Sequence, residues 1–182
     1  MTQEEEINQL KRDVLSEGWE TVKAAVRRLG EIGGENVTLF LISLLKSDDA
    51  RLRNCAALEL ERIKDNRAVE PLLEAIFRKE NHNRNGTMVF ALESLDCSEK
   101  LKEIFRILFF ETFEAKMSAY SILSEQEFYF IEEDLLEIKA MWEDIKLHPG
   151  KCPDFGDEMA YDWMEDAVEG FVSHLEKKSE KK

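Results

Sequence analysis

Apolar residues recur at helical spacing along most of the chain, in stretches separated by short polar turns. The segment ERIKDNRAVEPLL, residues 61–73, is typical: one apolar stripe ends, a polar turn follows, and a second stripe begins. Pro71 fits near the start of the second helix, where a backbone N–H has no helical partner. The pattern predicts two antiparallel helices joined by a tight turn, with Ile63 and Leu72 packing across it.

This hairpin pattern occurs three times, at residues 24–45, 55–76 and 87–108, with offsets of 31 and 32 residues. Four apolar positions recur in register: Leu29, Leu60 and Leu92; Ile32, Ile63 and Leu95; Leu41, Leu72 and Ile104; Leu45, Ile76 and Leu108. Two amphipathic helices per unit at such a period are typical of a helical solenoid. A single hairpin cannot bury its apolar stripe, so neighbouring hairpins share one continuous core.

The rest of the chain extends this pattern at both ends, and we expect one domain over residues 1–182. Thr2 and Glu5 form a predicted capping box at the start of an N-terminal helix. The predicted stripe of the last helix contains Met159, Trp163, Ala167 and Phe171. The predicted parts are a capping helix at 1–17, three repeats at 18–111, a degenerate fourth repeat at 112–147, and a loop, acidic helix and frayed tail at 148–182.

The second unit, RLRNCAALELERIKDNRAVEPLLEAI, resembles HEAT repeats, in particular the short variety of phycobilisome-lyase-like proteins. The resemblance rests on the basic residue before a small-residue pair, the Asp and Arg of the turn, and the following proline. It covers residues 18–111 and, weakly, 112–140. It implies an all-α fold, a short right-handed α-solenoid of HEAT-like hairpins with N- and C-terminal capping helices. Such arrays are mainly protein-binding scaffolds, so the resemblance identifies an architecture better than an activity.

The same resemblance implies that the second helices of the repeats line a concave face. Exposed positions expected on that face are Thr38, Glu70, Glu74, Lys102 and Arg106. Glu70 and Glu74 lie one helical turn apart, so they either extend an acidic surface or are ordinary solvated charges.

The chain is strongly acidic, with 39 Asp and Glu against 25 Lys and Arg and a net charge of -14. Such a protein is repelled by phosphate backbones and anionic membranes, and it attracts basic partners. We therefore expect no nucleic-acid partner and no membrane partner.

Cysteine usage and the first residues favour a cytoplasmic protein. Cys55, Cys97 and Cys152 are widely spaced, and we expect the first two to be buried free thiols. The acidic, polar start MTQEEEINQL differs from an ordinary signal peptide, and no apolar run reaches the roughly 20 residues of a membrane span.

Most of the negative charge lies in one segment, residues 125–169, which holds 15 acidic and three basic residues. Large aromatic residues lie between these carboxylates, a combination suited to docking a basic protein. Alternatively, the carboxylates are solvated outer faces of capping helices whose aromatic rings pack inward. The candidate binding residues are Asp154, Phe155, Asp157, Glu158, Tyr161, Asp162, Glu165 and Asp166, together with Glu70 and Glu74.

No arrangement of residues predicts catalysis, a metal site or a cofactor. His82, His148 and His174 are scattered, and none belongs to a recognisable nucleophile motif. The segment LGEIGGEN lacks the lysine of a phosphate-binding loop, and its Gly33-Gly34 pair is better interpreted as a helix C-cap. PDFGDE lacks the ligand spacing of a calcium loop.

The sequence thus predicts a non-enzymatic module, monomeric on its own, that binds a basic protein partner. Its size, charge and architecture are similar to those of some bacterial immunity proteins, which neutralise a cognate toxin, often a basic nuclease. The alternatives are a phycobilin lyase-like HEAT protein or a general scaffold or chaperone. A HEAT-like DNA glycosylase is the least favoured, because the repeats carry no strong positive excess.

Overall fold

The computed structural model describes residues 2–179 and the side chains up to residue 175. All regular secondary structure in this part of the chain is helical, as predicted. The helices are α1 (Gln3–Asp13), α2 (Trp19–Ile32), α3 (Glu35–Leu44), α4 (Ala50–Ile63), α5 (Val69–Ile76), α6 (Gly86–Leu92), α7 (Leu101–Phe110), α8 (Phe113–Glu125), α9 (Glu132–Leu147) and α10 (Glu158–Ser179). The predicted frayed tail is helical as far as Ser179, and residues 180–182 lie outside the described part.

The chain forms two compact units, residues 1–95 with α1 to α6 and residues 96–182 with α7 to α10. The boundary falls between the two helices of the third predicted repeat. The single-domain organisation therefore stays a prediction, and each unit is described by itself.

Local capping interactions define the first helices of the first unit. The Glu5 N–H donates to Thr2 Oγ1 at 3.2 Å, and the Thr2 N–H donates to Glu5 Oε2 at 2.8 Å, which confirms the predicted capping box. α2 ends at Gly33 with φ 63°, and Gly34 follows with φ 88°. These left-handed conformations favour glycine, so the predicted C-cap is confirmed.

The core confirms the register of the repeats. At three of the four repeated positions every member is buried, with at most 1% of its surface exposed: Leu29, Leu60 and Leu92; Leu41, Leu72 and Ile104; Leu45, Ile76 and Leu108. At the fourth position Leu95 is buried, while Ile32 and Ile63 are half-buried. Burial of each such side chain stabilises the fold by roughly 1.5–3 kcal/mol.

The turn that follows α4 contains an ion-pair network. Asp65 Oδ1 accepts a hydrogen bond from the Arg67 backbone N–H at 3.0 Å, and Asp65 Oδ2 accepts one from Arg67 Nη2 at 2.6 Å. Arg67 Nη1 also donates to Glu35 Oε1 at 2.8 Å, which links this turn to the start of α3. Hydrogen bonds from Arg67 hold the pKa of Asp65 below its ordinary value. The Asp and Arg of the repeat turn are therefore structural.

Thr38 corrects one prediction, since it is buried rather than exposed. It lies three and seven residues before Leu41 and Leu45, so helical periodicity places it on the same buried stripe of α3. Cys97 is a buried free thiol, as predicted, whereas Cys55 is only half-buried.

A close approach between α2 and α4 depends on Gly30. A Cβ added at Gly30 would lie 2.8 Å from both Cβ and Cδ of Glu59 on α4. Cβ atoms in proteins do not come this close to another side chain, so the two helices pack at this distance only with glycine at position 30.

Glu59 itself is buried, and its Oε2 has no hydrogen-bond partner among the described residues. Its Oε1 lies 3.6 Å from Arg62 Nη1. Burial disfavours the charged form of the carboxyl group and raises the pKa of Glu59 above its ordinary value.

In the second unit, α7 packs against α8 and α9, and α10 packs against the same two helices. Lys116 of α8 is fully buried, and its Nζ donates to the carbonyl oxygens of Leu108 and Phe109 at 2.8 and 2.9 Å. It thus satisfies two carbonyl groups at the C-terminus of α7 that have no helical partner. Burial lowers the pKa of Lys116.

The apolar stripe of α10 differs from the predicted one. The buried residues are Ala160, Met164, Ala167 and Val168, whereas Met159 is 55% exposed. Trp163 and Phe171 are half-buried, at the edge of the stripe. The predicted stripe was wrong at Met159 because the helix packs against two neighbours, which rotates its buried face by about one residue.

We expect Gly30→Ala to lower the free energy of unfolding by about 1–3 kcal/mol, because the new methyl group overlaps Glu59. Gly170→Ala is the matched control in another helix interior, since a Cβ there meets no atom within 4 Å. It should raise the free energy of unfolding by about 1 kcal/mol through helix propensity alone. Urea denaturation followed by circular dichroism measures both, and equal stabilisation by the two substitutions would contradict the close approach.

We expect Glu59→Gln to make stability less dependent on pH. The folded protein binds the Glu59 proton more tightly than the unfolded chain does. The free energy of unfolding therefore decreases as pH rises from the ordinary value of 4.5 toward the raised folded pKa. Glutamine lacks this ionisation, so the variant should be more stable than the wild type at pH 7, and the difference should vanish below pH 4.5.

Asp49→Asn provides the control of opposite sign. Hydrogen bonds from Arg51 hold the pKa of Asp49 below its ordinary value, so its contribution to stability is present above 3.8 and is lost as pH falls through the lower folded value. Urea denaturation across this pH range measures, for each variant, how much its free energy of unfolding differs from that of the wild type. Plotted against pH, this difference should have slopes of opposite sign for the two variants. Slopes of the same sign would show that the buried position of Glu59 is wrong.

Candidate protein-binding surface

α10 begins at a loop that uses two of the predicted binding residues for structure. Asp157 is the N-cap: its Oδ1 accepts a hydrogen bond from the Ala160 N–H at 3.0 Å, and its carbonyl accepts one from the Tyr161 N–H at 2.9 Å. Asp154 adopts a left-handed conformation with φ 57°, and its carbonyl accepts the Asp157 N–H at 2.9 Å. These two residues therefore fix where the helix starts.

Beyond this cap, α10 carries an acidic row, which we define as Glu158, Asp162, Glu165, Asp166 and Glu169. At 100° per residue these positions fall within an arc of about 100° on one side of the helix. Glu165 is half-buried and the other four are exposed. The row contains four of the predicted binding residues and adds Glu169.

No lysine or arginine forms an ion pair with the acidic row in the described part of the chain. Three of its pairs are four residues apart, and each such like-charge pair destabilises a helix by about 0.2–0.5 kcal/mol. The row therefore reduces the stability of α10, unlike the carboxylates of α9 that pair with lysines.

Phe155 and Tyr161 belong to an aromatic cluster with Trp142 of α9. The Tyr161 ring centroid lies 5.5 Å from that of Trp142 and 5.4 Å from that of Phe155. The Tyr161 hydroxyl donates to Glu165 Oε1 at 3.1 Å, a hydrogen bond that raises the pKa of Tyr161. Both residues are half-buried, so they pack inward and also border the acidic row.

A cleft lies between α8 and α10, which we call the α8–α10 cleft. Its volume is about 380 Å³, and its lining includes Tyr120, Leu123, Asp166, Ala167, Gly170 and Phe171. The Tyr120 hydroxyl donates to Asp166 Oδ2 at 2.8 Å, which raises the pKa of Tyr120. The Tyr120 ring stacks on Trp163, with centroids 5.9 Å apart and planes 18° apart. The cleft thus combines a carboxylate, a tyrosine ring that is hydrogen-bonded to it, and an apolar floor.

A second groove, between α9 and α10, contains basic as well as acidic side chains. Its volume is about 470 Å³, and both Lys139 and Lys146 line it beside Glu165 and Glu169. Glu143 lines it as well, so the two lysines lie among three carboxylates, whereas Asp166 is the one charged residue among the described side chains that line the α8–α10 cleft.

Glu70 and Glu74 lie on α5 of the first unit, where both are exposed and one turn apart, as predicted. The other eight candidate residues all lie on α10 or in the loop before it. The sequence analysis did not include Tyr120, Trp163 or Gly170 among the binding residues. The signal that points to Gly170 is a glycine inside a strongly helical segment, with no turn to explain it.

The described residues contain no candidate metal site, and the Cys152 thiol is not exposed. No group of three or more His, Cys, Asp and Glu side chains in that part of the chain is placed to hold a metal ion. Cys152 is buried, with its Sγ 3.5 Å from Lys116 Nζ, and burial raises the pKa of its thiol. None of the helices in the described range has the length and apolar character that crossing a membrane requires.

Comparison with known families identifies the repeats. Residues 8–93 match the family model of HEAT repeats, a range that runs from within α1 to the end of α6. The match and the all-helical structure confirm the predicted fold class, all-α with HEAT-type hairpins of the solenoid kind. Repeats of this family are typically non-catalytic and present binding surfaces to other proteins. No curated protein matches the chain.

We expect Asp162→Asn to stabilise the protein by about 0.5 kcal/mol at low ionic strength, because Asp162 has like-charged neighbours four residues away on both sides. The gain should shrink in about 0.5 M salt, which screens exposed charges. Glu143→Gln is the control, since the Glu143 carboxylate lies 2.8 Å from Lys146 Nζ and should give no gain. Urea denaturation at both ionic strengths tests this, and equal effects of the two substitutions would contradict it.

Proposed function

We propose that the chain is a non-catalytic protein-binding module that docks a basic protein through the acidic row of α10. The observation that carries this proposal is the row itself: five carboxylates on one arc, without basic partners in the described range and at a cost to the helix. A basic surface placed against the row removes that repulsion, so binding of the partner also stabilises α10.

The overall charge supports the same partner class. Residues 125–169 account for -12 of the net charge of -14. A field of this kind steers a basic partner toward α10 before contact and raises the association rate. At physiological ionic strength the attraction extends over about 8 Å, so it acts on the last approach and fixes orientation.

Aromatic residues beside the row provide the second element of a protein interface. Trp163 and Tyr120 stack on one side of the row, and Tyr161 and Phe155 lie on the other. Charged groups at an interface rim set the association rate and register, whereas aromatic groups that lose contact with water supply most of the affinity.

In its more specific form, the proposal is that this partner is a toxin domain and that the chain is the immunity protein that neutralises it. A nuclease surface suited to phosphate is positively charged, and it therefore also attracts clustered carboxylates. A general scaffold is equally compatible with the HEAT repeats. The phycobilin lyase and the DNA glycosylase stay predictions from the sequence.

The experiment compares two matched pairs of carboxylates. Asp162→Lys/Asp166→Lys and Glu70→Lys/Glu74→Lys each reverse two charges four residues apart on one helix. The partner is a basic protein captured from the source cells with the wild-type chain at low ionic strength and then purified. A basic domain encoded beside the gene is the first protein to test directly.

We expect the α10 double variant to bind this partner at least about tenfold more weakly. The α5 variant should lose less, since it changes only the overall charge. Calorimetric titration at two salt concentrations measures both, and circular dichroism checks that helicity is unchanged. Equal losses for the two variants, or affinity independent of salt, would show that the acidic row is not the docking site.

A further inference from the structure

We propose that the α8–α10 cleft receives an arginine side chain presented by the basic partner. This inference rests on the proposed function and adds a specific anchor point to it. The acidic row attracts a basic surface in general, whereas the cleft selects one side chain by shape, charge and ring stacking.

The dimensions and floor of the cleft suit a long side chain. Its volume of about 380 Å³ is within the range of small-ligand sites. Leu123 and Ala167 on its floor are buried, and Phe171 at one end packs edge-on against Phe105. An arginine can lay its methylene stem along such a surface while its charged end stays near a carboxylate.

Asp166 supplies that carboxylate at the rim. One of its oxygens, Oδ2, accepts the Tyr120 hydroxyl, which fixes the orientation of the group. The side chain is exposed, and no other hydrogen bond within the described part of the chain uses Oδ1. A guanidinium group can therefore approach a carboxylate that is already oriented.

The Tyr120 ring, which is the member of the stacked pair that lines the cleft, favours arginine over lysine. The Tyr120 ring stacks on Trp163, which in turn contacts Phe113 at 5.1 Å between ring centroids. A planar guanidinium stacks on aromatic faces and makes two parallel hydrogen bonds to a carboxylate, whereas an ammonium group acts as a point charge. At the far end, the His174 ring packs against Phe130 at 5.5 Å, and its Nδ1 lies 3.1 Å from the Phe171 carbonyl oxygen.

Gly170 is the residue that leaves the cleft open. It lies between Asp166 and His174 on the same side of α10, in the interior of the helix. No atom lies within 4 Å of the place where its Cβ would be. An interior glycine makes a helix about 1 kcal/mol less stable than alanine does, so the opening is maintained at the expense of helix stability.

The other groove along α10 is a poorer site for a cation. Lys139 and Lys146 line it, and Lys146 also lies 5.6 Å from the centroid of the Trp142 ring. A basic side chain of the chain itself therefore already occupies the aromatic face there. Among the side chains that the structure describes, no lysine or arginine lines the α8–α10 cleft.

The test uses three peptides that differ at one residue: Ac-GSRSG-NH2, its lysine counterpart, and its citrulline counterpart. Citrulline keeps the shape of arginine without the charge. Each peptide is titrated into the full-length, ¹⁵N-labelled chain, and amide chemical shifts are followed by NMR. We expect the arginine peptide to shift the amides of Ser124, Ala167 and Gly170, with the lysine peptide weaker and the citrulline peptide without effect.

Substitutions separate the cleft from general charge. Gly170→Leu places a side chain in the cleft without changing any charge, and Gly170→Ala stabilises the helix without filling it. Asp166→Asn removes the rim carboxylate, and Glu114→Gln removes an equal charge at an exposed position of α8 that belongs neither to the cleft lining nor to the acidic row. We expect Gly170→Leu and Asp166→Asn to reduce arginine-peptide affinity about tenfold and the two controls to leave it within about twofold.

Three results would overturn the cleft assignment. These are equal shifts from the arginine and citrulline peptides, shifts centred outside the cleft, or equal losses for Asp166→Asn and Glu114→Gln. The proposed function is judged separately, by the binding of the whole basic partner. If Gly170→Leu binds that partner normally while Asp162→Lys/Asp166→Lys does not, the arginine site is wrong and the docking surface stands. If the arginine peptide occupies the cleft but no basic protein binds, the arginine site stands and the docking surface is wrong.

Discussion

The packing of α10 against both α8 and α9 determines which of its residues form the proposed docking surface. Ala160, Met164, Ala167 and Val168 are buried at this contact, and they fix the rotation of the helix. Because the rotation is fixed, the five acidic residues face outward together and Gly170 faces the cleft. A rotation by one residue would expose Met164 and bury a carboxylate, which is energetically unfavourable.

The two units use buried polar groups in different ways. In the first, the Glu59 carboxyl occupies space that only a glycine at position 30 leaves free, and one oxygen lacks a partner in the described range. In the second, Lys116 is buried but satisfies two carbonyl groups at a helix end. The first arrangement is poorly compensated, whereas the second is well compensated and completes a helix terminus.

The surface of α10 combines features that individually lower stability. Like charges lie one turn apart, a glycine interrupts the helix interior, and a large residue, Met159, is exposed. Such departures from good local design are expected where a surface serves a partner rather than the fold. The repeats of the first unit are organised differently from this surface. Their repeated apolar positions are almost all buried, and their turn residues pair with one another.

Local patterns in the sequence determined the helices, the register of the repeats and the caps at Thr2 and Gly33, because these depend on residues only a few positions apart. They also located the acidic segment, since charge is a property of composition. Tertiary structure alone decided which side of α10 is buried, where the prediction was wrong at Met159. It also decided that Tyr120, 46 residues before Asp166, donates a hydrogen bond to it. These features depend on contacts between helices distant in sequence, and periodicity within one helix cannot specify them.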